Sequence, residues 1–143
     1  MSSETNQSLV RRYVEEVLNR GKFEVLDDLF SPNYKRYLSP TATPLPPQLQ
    51  KQRLAGLRAA FPDVQLVIED LITEGDRVAF RMLLRGTHQG TFQGIPPTQK
   101  QVTVFAFDVV RIENGKFIEH WGGPDLLTLL QQLGAVISPG QER

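Results

Sequence analysis

The feature that most constrains the fold is the stretch Arg111–Asp125, with the sequence RIENGKFIEHWGGPD. At its centre is the pair Asn114-Gly115, which favours a tight hairpin because both central residues of a type I′ turn need positive φ. The flanking runs Val102–Ile112 and Phe117–Trp121 have the composition of strands. The stretch therefore predicts the last two strands of a sheet.

The second of these strands carries three polar candidates. By strand parity, Glu119 shares a face with Phe117 and Trp121, whereas His120 lies on the opposite face, so neither is forced into the interior. Asp125 follows a Gly-Gly-Pro break and is the leading acid–base candidate. It has an alternative role as a helix cap, because Pro124 suits the first helical turn and an acidic residue there complements the helix dipole. Capping lowers a carboxyl pKa, whereas a proton-transferring aspartate benefits from a raised one, so the two roles make opposite predictions.

The rest of the chain changes its hydrophobic period once. Apolar residues recur at helical spacing in three N-terminal segments, and they alternate with polar residues in the segments that follow. The predicted helices are residues 5–20, Phe23–Phe30 and 48–61, and the predicted strands are those beginning at Val64 and Arg77–His88, followed by the hairpin and a short helix at Asp125–Leu133. A proline-rich loop between Tyr34 and Pro47 separates the second and third helices. This order predicts a single α+β domain over residues 1–143, with helices on one face of a curved antiparallel sheet.

The amino-acid composition excludes several classes of partner and chemistry. The 16 basic and 16 acidic residues cancel, so neither nucleic acid nor an anionic membrane is expected as a partner. The chain has no cysteine, which excludes disulfides and thiolate chemistry. A signal peptide and a long apolar run are both missing from the sequence, so the expected location is the cytoplasm.

Motifs for cofactor and metal chemistry are also missing. No glycine-rich phosphate loop precedes a helix, and no serine lies in a nucleophile-elbow context. The two histidines, His88 and His120, are far apart in sequence and make a poor metal site. We therefore expect neither a cofactor nor a metal, and look for acid–base chemistry in a pocket.

Five further residues are candidates for that pocket. His88 lies on an apolar strand face, as a catalyst or as a hydrogen-bonded core histidine. Asp108 shares a strand face with valines and isoleucine; if that face is inward, the carboxylate needs a partner, and if outward, it is solvated or in a subunit interface. Tyr34 and Tyr37 could donate hydrogen bonds to a ligand or bridge core and solvent, and Trp121 could line a pocket mouth or simply pack.

The motifs along the chain, taken in order, resemble those of the SnoaL-like polyketide cyclases of the nuclear transport factor 2-like, or cystatin-like, superfamily. They are F-P-D at 61–63, E-G-D at 74–76, G-T-H-Q-G at 86–90, F-Q-G-I-P-P-T at 92–98 and N-G-K-F-I-E-H-W at 114–121. The resemblance implies a cone-shaped cavity between a bent sheet and three helices, with Phe61 among its walls. It also implies a homodimer or larger homo-oligomer.

By this resemblance, Asp125 would be the acid/base of an intramolecular aldol closure that needs no metal or cofactor, with His88 or Asp108 as its partner. Tyr37 stands where the family often has a histidine, and Gln99 replaces the glycine of the usual P-T-G. Two functions follow as hypotheses. The first is a cofactor-independent cyclase or isomerase for a small hydrophobic carbonyl compound, and the second is a non-catalytic binding or interaction module of the same fold.

Overall fold

The structure is a computed structural model that describes residues 3–135; residues 1–2 and 136–143 of the predicted domain lie outside the described part. The helices are α1 (Ser3–Arg12), which continues as a π-helical segment (Tyr13–Asn19), α2 (Leu26–Leu29) after a 3₁₀ turn (Phe23–Val25), α3 (Pro47–Ala60) and α4 (Leu126–Gln132). The strands are β1 (Phe30–Tyr37), β2 (Gln65–Glu74), β3 (Arg77–Thr87), β4 (Gln101–Glu113) and β5 (Lys116–Pro124).

The predicted α+β class is confirmed, and the sheet has one more strand than predicted. Its order is β1-β5-β4-β3-β2, in which β2 to β5 are antiparallel and β1 runs parallel to β5. The predicted second helix ends at Phe30 and the predicted proline-rich loop begins at Tyr34, so the sequence predicts no strand where β1 lies. β1 is an edge strand, and its register with β5 is interrupted between Phe30 and Lys35. Pro32 falls in that interruption, where a missing N–H removes no ladder hydrogen bond.

The core lies on the concave face of the sheet, under the helices. Residues of β3 and β4 alternate strictly between buried and more exposed positions. The buried set on β4 is Val102, Val104, Ala106, Asp108, Val110 and Ile112, whereas Phe105 and Phe107 point to the convex face. The inward alternative for Asp108 is therefore the one that the fold adopts.

A β-bulge in β5 overturns the parity prediction for His120. Ile112 pairs with Phe117 and Arg111 pairs with Glu119, so Ile118 is an extra residue without an opposite partner. An extra residue shifts the alternation by one position. Phe117 and His120 consequently both point into the core, where each is fully buried.

No helix within residues 3–135 combines the length and the apolar character that crossing a membrane requires.

Candidate functional site

Four polar side chains form a connected cluster inside the cone. They are Tyr34 and Arg36 from β1, Asp108 from β4 and His120 from β5. Tyr34 Oη lies 2.8 Å from His120 Nδ1, and His120 Nε2 lies 2.7 Å from Asp108 Oδ2. Arg36 Nη1 lies 3.5 Å from the same Asp108 oxygen. All four side chains are at most 7% exposed, so the cluster is shielded from bulk water.

The chemistry of these groups fixes the direction of the hydrogen bonds. Burial raises the pKa of the Tyr34 hydroxyl, which therefore stays protonated and donates to His120 Nδ1. Burial and then the charge of Arg36 lower the pKa of His120 to about 4, so the imidazole is neutral at pH 7. Its single proton sits on Nε2 and is donated to Asp108.

Asp108 is ionised in this setting. Burial by itself would raise the pKa of its carboxyl group, but the hydrogen bond from His120 and the charge of Arg36 outweigh burial and hold that pKa below its usual range. Both partners use Oδ2, and Oδ1 is buried without a hydrogen-bond partner among the described residues. Because both nitrogens of His120 are engaged, Asp108 Oδ1 is the open basic atom of the cluster.

A cavity of about 470 Å³ adjoins the cluster. Its lining is mostly apolar, with Arg53 as its one charged side chain and Thr91 and Gln93 as further polar ones. The other lining residues are Leu38, Gly56, Leu57, Phe92, Gly122, Gly123, Pro124 and Leu126. Arg36 donates a hydrogen bond from Nη2 to the carbonyl oxygen of Gly122. A Cβ on Gly123 would lie 3.2 Å from Arg36 Nη2 and 3.7 Å from Arg53 Nη2. The two glycines thus form the boundary between cavity and cluster, and two guanidinium groups reach it.

Asp125 lies at the end of β5, outside this cluster. It is the N-cap of α4, where its carboxylate accepts hydrogen bonds from the Thr128 backbone N–H at 3.1 Å and hydroxyl at 2.7 Å. The hydrogen bond from the Thr128 hydroxyl, and then that from its backbone N–H, lower the pKa of Asp125. An exposed carboxylate whose hydrogen bonds come from the first turn of its own helix fits the capping role. The acid–base candidate of the interior is Asp108, which differs from Asp125 in being buried and in having an oxygen without a partner among the described residues.

His88 is buried in a different environment. Its Nδ1 accepts a hydrogen bond from the Thr98 backbone N–H and lies 3.0 Å from the Thr98 hydroxyl, and its ring packs 5.4 Å from that of Phe61. Phe61 in turn contacts Phe92, which lines the cavity. His88 Nε2 has no hydrogen-bond partner among residues 3–135. His88 and Phe61 therefore support the cavity wall from behind.

Tyr37 and Trp121 lie together on the convex face. Their rings stack with centroids 5.6 Å apart, and the guanidinium of Arg77 lies 5.4 Å from the indole centroid. Trp121 lines a second, shallow cavity of about 410 Å³ on that face, with Ile72 and Phe107. Seven site residues are predicted from sequence. Two of them, Asp108 and Tyr34, lie together in the buried cluster, and the other five lie outside it.

Sequence reasoning missed Arg36, Arg53 and His120 as site residues. Arg36 lies in a strand that the sequence predicts as loop. Arg53 is a charged residue of an amphipathic helix, and such residues usually face solvent. His120 was placed by parity alone, which a bulge invalidates. One signal was available: Arg36 and His120 each precede an aromatic residue, Tyr37 and Trp121 respectively.

Comparison with known proteins agrees with this geometry. Residues 8–133 match the family described as SnoaL-like polyketide cyclase. The chain is 31% identical over 137 residues to aklanonic acid methyl ester cyclase DnrD of Streptomyces peucetius, covering 91% of each. It is 30% identical over 121 residues to nogalonic acid methyl ester cyclase of Streptomyces nogalater, covering 81% of this chain and 88% of the relative.

Among solved structures, TsrD from Streptomyces laurentii superposes with a TM-score of 0.85 at 29% identity, covering 95% of this chain and 99% of that one. The family match spans most of the chain, and the relatives agree with it over nearly their whole lengths. The chain belongs to the SnoaL-like polyketide cyclase family.

Proposed function

We propose that this protein is a cofactor-independent cyclase that closes a ring by intramolecular aldol addition in a small hydrophobic carbonyl compound, with Asp108 as the acid–base residue. The observation that carries the proposal is a buried, ionised Asp108 whose Oδ1 has no hydrogen-bond partner among the described residues. Its neighbour Arg36 donates a hydrogen bond to Gly122, which lines the largely apolar cavity. The cyclase relatives and the family match support the reaction type.

Catalysis begins with proton removal. Asp108 Oδ1 takes a proton from a carbon alpha to a carbonyl, and the C–H electron pair becomes part of an enolate. The guanidinium of Arg36 stabilises the negative oxygen, because a fixed cation in a water-excluded site interacts strongly with developing charge.

Ring closure returns the proton. The enolate carbon attacks a second carbonyl carbon of the same molecule, a C–C bond forms, and the electron pair of that carbonyl moves to its oxygen. The alkoxide then takes the proton from Asp108. The product is an isomer of the substrate, so the reaction consumes no oxidant, reductant or water.

His120 and Tyr34 act as positioning residues. The neutral imidazole donates to Asp108 Oδ2 and is itself held by the Tyr34 hydroxyl, so the carboxylate cannot rotate freely. A base held in a productive geometry lowers the barrier by avoiding reorganisation during the reaction.

We also propose that two copies of the chain associate through the convex face of the sheet. Val67, Ile72, Phe105 and Phe107 are each between 45% and 65% exposed there. A sheet face with several exposed apolar side chains is typical of an interaction site. A second copy would cover it.

The test of catalysis is turnover of aklanonic acid methyl ester, nogalonic acid methyl ester and the two free acids. The reactions contain EDTA, and the products are detected by chromatography with mass spectrometry. We expect an isomeric product from the wild type and a loss of roughly 10²–10⁴-fold in kcat for Asp108→Asn. Asp125→Asn serves as the control and should retain turnover. Retained turnover in Asp108→Asn would refute the assignment, and binding without turnover in the wild type would favour a binding module.

A further inference from the structure

Arg53 is a half-buried guanidinium without a partner. It projects from α3 into the cavity, and the described residues offer it neither a hydrogen bond nor an ion pair. The other arginine of that helix, Arg58, is in contrast tied to the carbonyl oxygens of Leu18 and Asn19, at 3.1 Å each. A charge removed from water is costly unless something pairs with it.

The charges around Arg53 do not balance. Arg36 and Arg53 both approach the position that a Gly123 Cβ would occupy, within 3.2 Å and 3.7 Å respectively. Burial, and then the charge of Arg36, lower the pKa of Arg53, which reports the mutual repulsion of the two guanidiniums. Asp108 is the one carboxylate of the cluster, while Tyr34 and His120 are neutral at pH 7. The interior thus carries one positive charge in excess.

Buried polar atoms without hydrogen-bond partners also lie near Arg53. Arg36 Nε and both amide atoms of Gln50 are buried without a hydrogen-bond partner among the described residues. Gln50 lies three residues before Arg53 on α3, so the two side chains share one face of the helix. Buried polar atoms are rarely left unpaired in a native protein, so unpaired atoms on Arg36 and on the residue one turn before Arg53 indicate that a further polar group completes this region.

We infer that Arg53 is the binding site for a carboxylate group of the substrate, so that the preferred substrate is an aromatic or polycyclic compound carrying a free acid. A guanidinium binds a carboxylate through two parallel N–H···O bonds. Leu57, Phe92, Pro124 and Leu126 supply apolar walls for the ring system beside it. The inference deepens the proposed function and rests on it for the identity of the ligand as substrate.

The shape of the site separates the two arginines by role. Arg36 is already bonded to Gly122 and adjacent to Asp108, so it lies where charge develops during the reaction. Arg53 has no bond to Asp108 and lines the cavity itself. It therefore determines which compounds bind, and a methyl ester, which is uncharged, would lack its main polar contact.

The experiment is calorimetric titration with 1-hydroxy-2-naphthoic acid and its methyl ester, which differ only in the charged group. We expect the wild type to bind the acid at least 10-fold more tightly than the ester. Arg53→Gln should reduce this ratio to below about 3-fold, because it weakens binding of the acid and leaves binding of the ester unchanged. Arg53→Lys should give an intermediate ratio, because lysine keeps the positive charge but lacks the two parallel N–H donors of a guanidinium. Lys51→Gln is the matched control, since it removes a positive charge from the same helix outside the cavity lining.

Several results would overturn the inference. An acid-to-ester ratio near one in the wild type, or an unchanged ratio in Arg53→Gln with its circular dichroism spectrum intact, would show that Arg53 does not recognise the carboxylate. Inorganic phosphate binding as tightly as the naphthoic acid would indicate a general anion site instead. The titrations need no turnover, so repeating them in Asp108→Asn separates the two proposals. Preference for the acid without catalysis would support the carboxylate site and refute the proposed cyclase activity. Catalysis without preference for the acid would support the cyclase and refute the carboxylate site.

Discussion

His120 Nε2 lies 2.7 Å from Asp108 Oδ2, although the two residues are not direct partners in the strand register. Val110 is opposite His120, and Asp108 is opposite Gly122, so the contact runs diagonally between β4 and β5 on the concave face. Diagonal neighbours on one sheet face are within reach of long side chains. The contact exists because the bulge at Ile118 turns His120 inward, and because Gly122 places no side chain across from the carboxylate.

The first prediction concerns the ionisation of His120. Its pKa is lowered from 6.5 to about 4, because burial and Arg36 disfavour the imidazolium. In the unfolded chain the imidazole takes up a proton as pH falls through about 6.5, whereas the folded protein resists protonation until about pH 4. The unfolded state therefore binds more protons in this window, and stability must decrease as pH falls from about 6.5 to about 4. The shift corresponds to a loss on the order of 3 kcal/mol.

Urea denaturation at a series of pH values measures that loss, and the nitrogen-15 resonances of His120 measure its protonation directly. We expect the neutral Nε2–H tautomer at pH 5.5. A His120 that titrates near pH 6.5, or a free energy of unfolding that stays level down to pH 4.5, would contradict the buried neutral imidazole.

The second prediction concerns Tyr34→Phe. The change removes the donor to His120 Nδ1 and leaves the stacking of the ring on Phe30 intact, with centroids 3.7 Å apart. The imidazole is then held less firmly, so we expect kcat to fall roughly 10-fold with little change in KM, as for the loss of other orienting partners. The unpaired Nδ1 should cost about 1–3 kcal/mol of stability. Tyr37→Phe, on the convex face, is the control and should alter neither kcat nor the His120 resonances.

The third prediction separates Asp125 from catalysis. Asp125→Ala removes the N-cap of α4, so we expect a fall in Tm of a few degrees with turnover retained. Thr128→Val removes one of the two hydrogen bonds to that carboxylate and should lower Tm by less. Since these bonds lower the pKa of Asp125, the difference in Tm should be present above about pH 4 and disappear in more acidic buffer. A large loss of kcat in Asp125→Ala at unchanged Tm would restore the aspartate as a catalytic candidate.

The hydrophobic periodicity of the sequence predicts most of the helices and strands. It fails for the edge strand β1, in which apolar and polar residues do not alternate regularly. Helix α1, strands β2 to β5 and helix α4 follow from clear periodicities, and Asn114-Gly115 located the hairpin, with φ values of 52° and 74°. Periodicity does not predict β1 as a strand, because this segment is polar and contains Pro32. Its hydrogen bonds come from β5, which lies far away in sequence. Local sequence does not encode a parallel pairing of that kind.

The candidate site could be predicted only in part, because its geometry depends on one extra residue. Asp108 was identified as a carboxylate on an apolar face that would need a partner, and Tyr34 as a possible donor. Parity places their partner His120 on the face of Ile118, opposite to Phe117 and Trp121, since simple alternation does not anticipate a bulge at Ile118. Asp125 attracted attention through its place after the Gly-Gly-Pro break, whereas its side chain is engaged locally by Thr128.

The fourth prediction tests self-association through the convex face. Phe107 is 54% exposed there, so Phe107→Glu places a charge in the middle of the proposed interface. Light scattering after gel filtration should give a dimer or larger assembly for the wild type and a monomer for the variant, because burying an unpaired carboxylate opposes association. Leu127→Glu is the matched control, as Leu127 is 59% exposed on α4 and lies outside that face. Equal masses for the wild type and Phe107→Glu would refute the proposed interface.

The fifth prediction uses Gly123 to perturb the two guanidiniums without removing either. In Gly123→Ala the new methyl group would lie 3.2 Å from Arg36 Nη2, so the guanidinium must shift by a few tenths of an ångström, which disturbs its contacts with Gly122 and Asp108. The φ of 143° adds backbone strain, because L side chains rarely adopt it. We expect kcat to fall at least 10-fold, with a loss of stability of about 1–3 kcal/mol from the strain. Gly75→Ala carries strain at a φ of 59°, but its methyl group meets nothing within 4 Å. It should therefore lose stability and keep turnover, and equal losses of kcat in the two variants would show that strain, rather than displacement of Arg36, is responsible.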